Sequence, residues 1–575
     1  MKGFIAVLAT SLLFAIQISA KTSDRDVYLD IIQTCVDAYT PERIADYVER
    51  VDREGIKEHG FARLASNIGI LLANGRALDR KDLFIKMMDL CVRDIPKPVA
   101  VNSKVSPGND FTVKEVSCCL YELEHSENCI PKTKVEYWKK ALTRMRAENI
   151  YTEQPSIPTD KAYNWSVYGS ASECARIMAG IGGDRAYADR YFADQLKYFD
   201  KNGMFKDPNQ PMVYDIVTRL QFMAALDFGY DGPSRTAIEE QLLKSAFHTL
   251  EMQSVTGEIP YGGRSNQFLH NDTFYAAVFE YYASWMKRRG NMEAASRFKA
   301  AAARALMSLR YWTGQEPIRH IKNRYPTETG YGCEDYAYFD KYMVTTGSWC
   351  YLAWRFADDS IVPSTTPEPA SIFEMSDEFH RIVANAGGYT IQFDTDAQAI
   401  YESNGLGRLQ KAGAPPVLAL ASPCPADDGQ KFNLDIKNPG PLAIAPLWDR
   451  YELIGKKVSN AANQSAELVF TDGKGSKWNC SISDKGLRME LKQRGSSPVI
   501  TIPVLIFDGE NHTGVHQGNK MLEVTYRGWC CRYTTNGDFV DTETVHANRN
   551  GHLRRFEARS GRGSTLTVDC VIFKL

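Results

Sequence analysis

The sequence has no excess of positive charge, no long apolar run after its N-terminal segment and no metal-binding motif. Its 68 basic and 70 acidic residues leave a formal net charge of −2, which gives no electrostatic drive toward nucleic acid or an anionic membrane. No later stretch reaches about 18 consecutive apolar residues, so we predict no membrane span. Neither a paired CxxC nor an HExxH motif occurs, and we expect no metal or other cofactor.

Disorder and fibrous structure are excluded by the overall composition. Hydrophobic residues make up 44% and charged residues 24% of the chain, as in ordinary globular proteins. A length of 575 residues allows about three domains or two large ones. The sequence therefore predicts a large globular protein with more than one domain.

Residues 1–20 have the pattern of an export signal. Lys2 supplies a positive start, and the largely apolar run Phe4–Ile18 precedes small residues at a predicted cleavage site. The first cysteine, Cys35, lies too far downstream to favour a lipid anchor. We expect an exported protein, periplasmic or secreted, whose mature chain begins near residue 21.

The 13 cysteines are permitted to pair in an oxidising compartment, and their odd number leaves at least one thiol over. Two sets are candidates for pairing: Cys118 and Cys119 with Cys129, and Cys530 and Cys531 with Cys480 or Cys570. Burial of cysteine as a small apolar residue is the simpler interpretation.

Hydrophobic periodicity divides the chain into two halves. Over residues 25–356 apolar residues recur at three and four positions, which predicts ten or more helices. After a proline-rich connection, short alternating runs separated by turns predict β-strands. We predict an N-terminal (α/α) toroid over 21–356, a linker over 357–372 and a C-terminal antiparallel β-sandwich over 373–575.

The first polar cluster is the loop 257–272, with the sequence GEIPYGGRSNQFLHND, which leads into a predicted helix. Four of its side chains suit a carboxylate or sugar hydroxyls: Arg264, Asn266, Gln267 and His270. A structural role stays open for Asn266 and His270, and Asp272 is readily explained as part of a helix cap.

The second cluster is the stretch 319–340, with the sequence RHIKNRYPTETGYGCEDYAYFD. Its basic residues fit the carboxylate of a uronic acid, although a solvated charge run is the alternative: Arg319, His320, Lys322 and Arg324. The acidic pair Glu334 and Asp335 stands among Tyr331, Tyr336 and Tyr338. We assign this pair, with His270 and Tyr336, to catalysis, while stabilisation of a helix N-terminus is the structural alternative for the pair.

Two further helix starts carry similar residues. Trp165 offers a stacking platform, and Tyr214 and Asp215 begin another predicted helix. Because helix starts at one end of a toroid converge, we expect these residues to join the same substrate-binding cleft.

The toroid-then-sandwich order and the loop GGRSNQFLH at 262–270 resemble the exported bacterial carbohydrate-active enzymes of the heparinase II/III-like kind. The stretch 319–342 is similar to β-glucuronidase-type members of that group, such as glycoside hydrolase family 154. In toroid lyases of this kind an Asn neutralises the uronate carboxylate while His and Tyr move protons. The resemblance implies these roles for Asn266, His270 and either Tyr331 or Tyr336.

Three functions are considered for these residues. The favoured hypothesis is a glycoside hydrolase acting on a uronic-acid-bearing oligo- or polysaccharide, with Glu334 or Asp335 facing a second carboxylate from Asp215 or Asp272. The alternative is a lyase that performs β-elimination with Asn266, His270 and a tyrosine. A non-catalytic glycan-binding module is disfavoured by the size of the chain and by its dense polar clusters. The oligomeric state stays open.

Overall fold

The computed structural model describes residues 24–99, 107–151, 158–209, 211–426, 442–461, 463–560 and 565–575. Within these ranges 14 α-helices precede 16 β-strands, which confirms the predicted order of a helical and a sheet-forming half. The predicted export signal over residues 1–20 lies outside the described residues, so export stays a prediction.

The helices occupy the chain up to residue 356. Their bounds are α1 Asp24–Asp37, α2 Pro41–Glu54, α3 Gly60–Ala73, α4 Lys81–Asp94, α5 Asn109–Glu124, α6 Lys132–Leu142, α7 Ala147–Ile150, α8 Tyr163–Met178, α9 Arg185–Gln195, α10 Met212–Asp227, α11 Arg235–Met252, α12 His270–Arg288, α13 Met292–Thr313 and α14 Phe339–Phe356.

Six of the helices form a closed inner ring: α3, α5, α8, α10, α12 and α14. Each packs against the next one in this order, and α14 closes the ring by packing against α3. Other helices pack on the outside, such as α1 on α14, α4 on α3, α9 on α8 and α13 on α12. This double layer of helices is the predicted toroid.

Burial on nearly all sides distinguishes the ring helices from the outer ones. Every residue of α3 is buried, whereas α2 buries only one stripe and exposes its charged face. Small residues allow the ring to close tightly. A Cβ atom on Gly69 of α3 would lie 2.2 Å from the Sγ atom of Cys119 on α5, so this contact requires glycine.

The strands occupy the chain from residue 371 onward. Their bounds are β1 Ser371–Glu374, β2 Arg381–Ala386, β3 Tyr389–Asp394, β4 Gly405–Lys411, β5 Ala445–Pro446, β6 Glu452–Ser459, β7 Ser465–Thr471, β8 Lys477–Ser483, β9 Gly486–Lys492, β10 Val499–Phe507, β11 Gly514–Gln517, β12 Met521–Tyr526, β13 Trp529–Thr535, β14 Asp538–Asn548, β15 Gly551–Arg559 and β16 Thr565–Lys574.

These strands form one large sheet and two smaller ones. The large sheet has eight strands in the order β11-β12-β13-β16-β9-β8-β7-β6, and the smaller sheets have the orders β1-β2-β3-β4 and β14-β15-β10-β5. Neighbouring strands pair antiparallel, and β2 and β3 of a small sheet pack on β7 and β8 of the large one. Burial alternates along β7 and β8, as expected for strands with one face in a core. The sheets therefore form the predicted sandwich.

The two halves meet through the loop that precedes α12 and through α11, which packs against β1 and β2. The last helix ends at Phe356, and the first strand begins at Ser371. None of the described helices combines the length and the hydropathy that a membrane span requires.

All 13 cysteines lie in the described part of the chain, and all are free thiols. The pairings considered from the sequence are therefore not formed. The Sγ atoms of Cys531 and Cys570, on the neighbouring strands β13 and β16, lie 3.4 Å apart and are buried. Twelve of the cysteines are buried and Cys129 is partly buried, in agreement with their interpretation as small core residues.

Candidate functional site

A cavity of about 440 Å³ opens at one end of the inner ring. It is within the range of about 300–1,000 Å³ that is typical of small-molecule sites. Its wall consists of His59, Arg63, Phe111, Asn164, Trp165, Tyr168, Val213, Tyr214, Val217, Arg264, Ser265, His270, Phe274, Tyr336, Lys341, Tyr342, Thr345 and Trp349. We call this space the ring cavity.

All six ring helices point their N-terminal ends toward the ring cavity. The wall residues of each helix lie within its first three turns or directly before it. Because a helix N-terminus carries a partial positive charge, six convergent N-termini favour an anionic group in the cavity.

The cationic side chains of the wall are only partly neutralised. Arg63 forms a buried ion pair with Glu115, with Nε 2.9 Å from Oε2. Arg264 approaches Asp207 at 3.5 Å and lies over the ring of Tyr214, 4.5 Å from its centroid. Lys341 makes no ion pair with any residue that the structure describes, and burial lowers its pKa. Arg264 and Lys341 can therefore meet the charge of an anionic ligand.

His270 is a buried titratable group of the wall. It is 5% exposed, and its Nδ1 atom is buried without a partner among the described residues. Burial, followed by the electrostatic effect of Arg63 and, to a smaller extent, of His320 and Lys322, holds the pKa of His270 well below its ordinary value. The imidazole is therefore neutral near pH 7 and can accept a proton.

His59 occupies a different electrostatic position from His270. The Nη1 atom of Arg63 lies 3.1 Å from Nδ1 of His59 and also donates to Oγ1 of Thr345 at 2.8 Å. Because a guanidinium only donates hydrogen bonds, Nδ1 of His59 must be the acceptor. The neutral His59 then carries its proton on Nε2, which makes it a hydrogen-bond donor rather than a base.

A chain of hydroxyl groups runs along the wall. Oη of Tyr214 lies 3.3 Å from Oγ of Ser265, which lies 2.6 Å from Oη of Tyr336. Burial raises the pKa of Tyr336, so its phenol keeps its proton, and the residue is still 37% exposed. Tyr336 is thus a hydroxyl donor that a ligand can reach.

The loop that carries Ser265 is held in a strained conformation. Ser265 and Gln267 adopt positive φ angles of 59° and 66°, which are uncommon for residues other than glycine. The backbone N–H of Ser265 donates to Glu334 at 2.5 Å, and Nδ2 of Asn271 donates to the carbonyl of Ser265 at 2.9 Å. Such strain persists only where surrounding contacts enforce it, and it is common at functional sites.

Aromatic rings form much of the remaining wall. Phe111 packs against Trp165 with ring centroids 4.8 Å apart and against Tyr168 at 5.1 Å. Behind the wall, the buried ammonium of Lys114 lies 4.1 Å from the ring centroid of Trp349 and makes a cation–π contact with it. Flat apolar faces beside polar groups suit the alternating faces of a sugar ring.

The four acidic residues considered for hydrolysis all lie outside the wall of the ring cavity. Three of them are in buried ion pairs: Asp215 with Arg219 at 2.8 Å, Asp272 with Lys322 at 3.1 Å and Glu334 with Arg549 at 2.8 Å. The fourth, Asp335, is exposed. Among the described residues no carboxylate lines the ring cavity.

Of the other predicted site residues, the ring cavity brings together Trp165, Tyr214, Arg264, His270 and Tyr336. The remaining ones lie elsewhere: Asn266, Gln267, Arg319, His320, Lys322, Arg324, Tyr331 and Tyr338.

The loop residues beside the cavity have mixed surroundings. Asn266 is buried next to the wall; its Oδ1 accepts from Nε2 of Gln267 at 3.1 Å, and its Nδ2 has no partner among the described residues. Gln267 accepts in turn from Asn550 at 2.9 Å. These contacts connect the loop to the sandwich.

The basic cluster is divided among structural contacts. Arg319 donates to the carbonyl of Tyr325 at 2.9 Å, and Nε2 of His320 donates to the carbonyl of Ala337 at 2.7 Å. Lys322 lies between Glu258 and Asp272, and Arg324 lies between Asp508 and Glu510.

The tyrosines of that stretch also separate. The hydroxyl of Tyr331 lies 2.9 Å from the carbonyl of Asn548, and its ring stacks on Tyr325 with centroids 3.7 Å apart. Tyr338 is 48% exposed and lies outside the cavity. Of the two tyrosines that the resemblance offers as proton donors, Tyr336 therefore lies in the wall and Tyr331 lies against the sandwich.

Only five of the 18 wall residues are among the site residues predicted from the sequence. The polar and aromatic wall residues that were missed are His59, Arg63, Phe111, Asn164, Tyr168, Ser265, Phe274, Lys341, Tyr342, Thr345 and Trp349. The sequence did contain a sign of two of these residues. His59 and Arg63 are four residues apart at the start of α3, so they lie on the same face of that helix at the end where the other helix starts converge.

One cluster in the sandwich has the residue types of a metal site. His380, Asp394 and Glu402 offer atoms within 4.8 Å of one another. However, the guanidinium of Arg381 is hydrogen-bonded to Glu402 and lies 3.7 Å from Asp394. This cation offsets one of the two negative charges, and Nδ1 of His380 lies 2.7 Å from Oδ1 of Asp394, so protein groups already engage both carboxylates. Glu402 also accepts from the backbone N–H of Gly263 at 2.5 Å and so supports the loop.

Neither a protein-family model nor a curated protein matches the chain. Among solved structures, a mutant of the heparan sulfate lyase HepC from Pedobacter heparinus is similar to this chain. The similarity covers 89% of this chain and 76% of that chain, with 11% sequence identity and a TM-score of 0.41. A likeness of this degree carries no argument about activity, so the function is argued from the ring cavity.

Proposed function

We propose that this protein is a polysaccharide lyase that cleaves a uronic-acid-bearing glycan by β-elimination. One observation carries the proposal: the wall of the ring cavity holds histidine, tyrosine, arginine and lysine side chains, and no carboxylate of a described residue. The sequence resemblance to heparinase II/III-like enzymes points to the same chemistry.

Elimination requires three groups around the uronate. A cation neutralises the carboxylate, which makes the C5 proton more acidic. A base removes that proton, the electron pair forms the C4=C5 double bond, and the C4–O4 bond breaks. A donor then protonates O4 of the leaving sugar.

The wall residues fit these three roles. Arg264 and Lys341 hold the carboxylate, with help from the convergent helix N-termini. His270 is the base, because it lines the ring cavity and is held neutral by burial. Tyr336 is the proton donor, and Ser265 and Tyr214 position its hydroxyl and relay the proton.

The low pKa of His270 is compatible with this role. Burial and the positive charges of Arg63 and Lys322 disfavour the imidazolium. A bound uronate brings a negative charge into the same enclosed space, which offsets these cations and raises the pKa of His270. The substrate itself therefore strengthens the base.

Hydrolysis has less support from the same geometry. A glycoside hydrolase of the usual type places two carboxyl groups about 5 to 9.5 Å apart across the scissile bond. The acids assigned to that task from the sequence are ion-paired or exposed outside the cavity.

The test follows two signals after incubation with polysaccharides that contain glucuronate, iduronate or galacturonate. A lyase produces a conjugated double bond that absorbs ultraviolet light, in proportion to the new reducing ends. The expected result is a rise in both signals on at least one substrate. Reducing ends without ultraviolet absorbance would reject elimination in favour of hydrolysis.

A further inference from the structure

A second cavity lies between the helical half and the sandwich, away from the ring cavity. It has a volume of about 520 Å³ and lies among α11, α13, the segment 367–372 and the turn between β2 and β3. We call it the interdomain groove. None of its wall residues belongs to the wall of the ring cavity.

The interdomain groove contains an arginine without an acidic partner. Two carboxylates line the groove, but both are already engaged: Glu368 pairs with Arg297 at 2.8 Å, and Glu251 pairs with His248 at 2.8 Å. Arg304 makes no ion pair with any described residue, and its one hydrogen bond runs from Nε to Oε1 of Gln253 at 3.1 Å. Neither Nη group of Arg304, which lines the groove, makes a hydrogen bond to a described residue.

The surroundings of Arg304 leave its charge poorly compensated. Burial lowers the pKa of Arg304, the negative charge of Glu368 offsets part of this decrease, and the positive charge of Arg297 adds a smaller decrease. A half-buried guanidinium of this kind gains from a carboxylate that accepts two parallel hydrogen bonds.

The other walls of the groove suit a sugar ring. Phe247 lines the groove and is 40% exposed, while its ring also packs against Phe298 and lies 5.6 Å from the guanidinium carbon of Arg297. Gln464 also lines the groove and makes no hydrogen bond to another described residue, so its amide is available to hydroxyl groups. An apolar ring, an amide and a free guanidinium around one cavity are the groups that recognise an acidic sugar.

We propose that the interdomain groove is a second binding site for an acidic saccharide, with the saccharide carboxylate on Arg304 and its ring against Phe247. The ligand class follows from the groove itself and does not depend on catalysis in the ring cavity. The groove would hold a uronate unit of a long glycan, or a released product, while another unit occupies the ring cavity.

The experiment measures binding of D-glucuronate by hydrogen-exchange mass spectrometry, because this readout separates the two cavities. Protection of peptides that cover 247–255 and 297–304 reports on the groove, and peptides that cover 263–274 report on the ring cavity. Glucose serves as the neutral probe, and inorganic sulfate serves as the anion without a sugar.

Three variants accompany the wild type. Arg304→Gln removes the guanidinium, and we expect at least tenfold weaker protection of the groove peptides by glucuronate. Arg304→Lys keeps the charge and should retain part of the effect. Arg310→Gln changes the same net charge on the exposed end of α13 and should behave as the wild type.

The proposal is overturned if glucuronate leaves the groove peptides unprotected, or if Arg304→Gln and Arg310→Gln behave alike. It is also overturned if sulfate protects the groove as well as glucuronate does, since the site would then recognise an anion and no sugar. Protection of the groove without protection of the ring cavity would support this site while counting against the proposed function. Protection of the ring cavity without protection of the groove would overturn this site and would support the proposed function.

Discussion

The side chains inside the ring cavity and the acids just outside it differ in how completely they are neutralised. Outside, ion pairs engage the carboxylates: Asp215 with Arg219, Glu258 and Asp272 with Lys322, and Glu334 with Arg549. Inside, Arg63 is ion-paired with Glu115, but His270 has an unpartnered Nδ1 and Lys341 has no ion pair with a described residue. The difference indicates that the acids hold the fold together while the wall residues are left available for a ligand.

The largest expected effect is on turnover, from a change inside the cavity. His270→Gln removes the proposed base, and we expect kcat to fall by about 10²- to 10⁴-fold, the usual contribution of a general base. Because His270 is buried against the rings of Phe268, Phe274 and Tyr342, the free energy of unfolding is measured as well, so that a loss of turnover is separated from a loss of folding. Steady-state kinetics and denaturant unfolding measure the two quantities.

The matched control for this change is His125→Gln, at an exposed histidine on the C-terminal end of α5. It should keep normal turnover. Equal turnover in His270→Gln and the wild type would exclude His270 as the base.

The next effect is on stability, from a change outside the cavity. Glu334→Gln leaves the buried guanidinium of Arg549 without its counter-charge, and we expect a loss of about 3–5 kcal/mol in the free energy of unfolding. Urea unfolding at pH 7 measures it. If the variant keeps its stability but loses turnover, Glu334 has a catalytic role and not the structural role assigned to it here.

A third effect concerns pH. Burial lowers the pKa of His320 to about 4, and it also lowers the pKa values of His59 and His270. Between the ordinary histidine pKa of about 6.5 and about pH 4, these histidines are protonated in the unfolded chain but stay neutral in the folded chain. The stability due to neutral His320 is therefore present above pH 6.5 and is lost as the pH falls, by about 3 kcal/mol for this residue.

Unfolding midpoints measured from pH 7 to pH 4 check this effect. His320→Gln keeps a side-chain N–H for the carbonyl of Ala337 and cannot titrate, so its stability should depend less on pH in this range. An unchanged pH dependence would show that His320 is not one of the groups responsible.

The smallest expected effect comes from the exposed neighbour of Glu334. Asp335→Asn should change the free energy of unfolding by less than about 0.5 kcal/mol, as at most surface positions. Turnover should also be near normal, since Asp335 does not line the ring cavity. A large loss of turnover in this variant would favour the hypothesis that Glu334 and Asp335 are the catalytic acids of a glycoside hydrolase.

The two-part fold was predictable because it is encoded in local periodicity. The 3.6-residue pattern before residue 356 and the alternation after residue 371 identify the toroid and the sandwich without knowledge of any contact. The convergence of Trp165, Tyr214 and His270 was also accessible, since helix starts share one end of a toroid.

The state of the acids was not predictable in the same way. Whether Glu334 is free depends on Arg549, which is 215 residues away in the other half of the chain. The sequence around Glu334 therefore does not predict its ion pair with Arg549. Likewise, Tyr331 and Tyr336 are close in sequence, yet one faces the sandwich and the other faces the cavity.

The most direct test of the account is a single-turnover measurement with a substrate that carries deuterium at C5 of the uronate. If His270 removes the C5 proton, the deuterated substrate should react more slowly than the ordinary one, and ultraviolet-absorbing product should form at the slower rate. Identical single-turnover rates for the two substrates, with cleavage but no absorbing product, would contradict elimination and the division of roles on which the account rests.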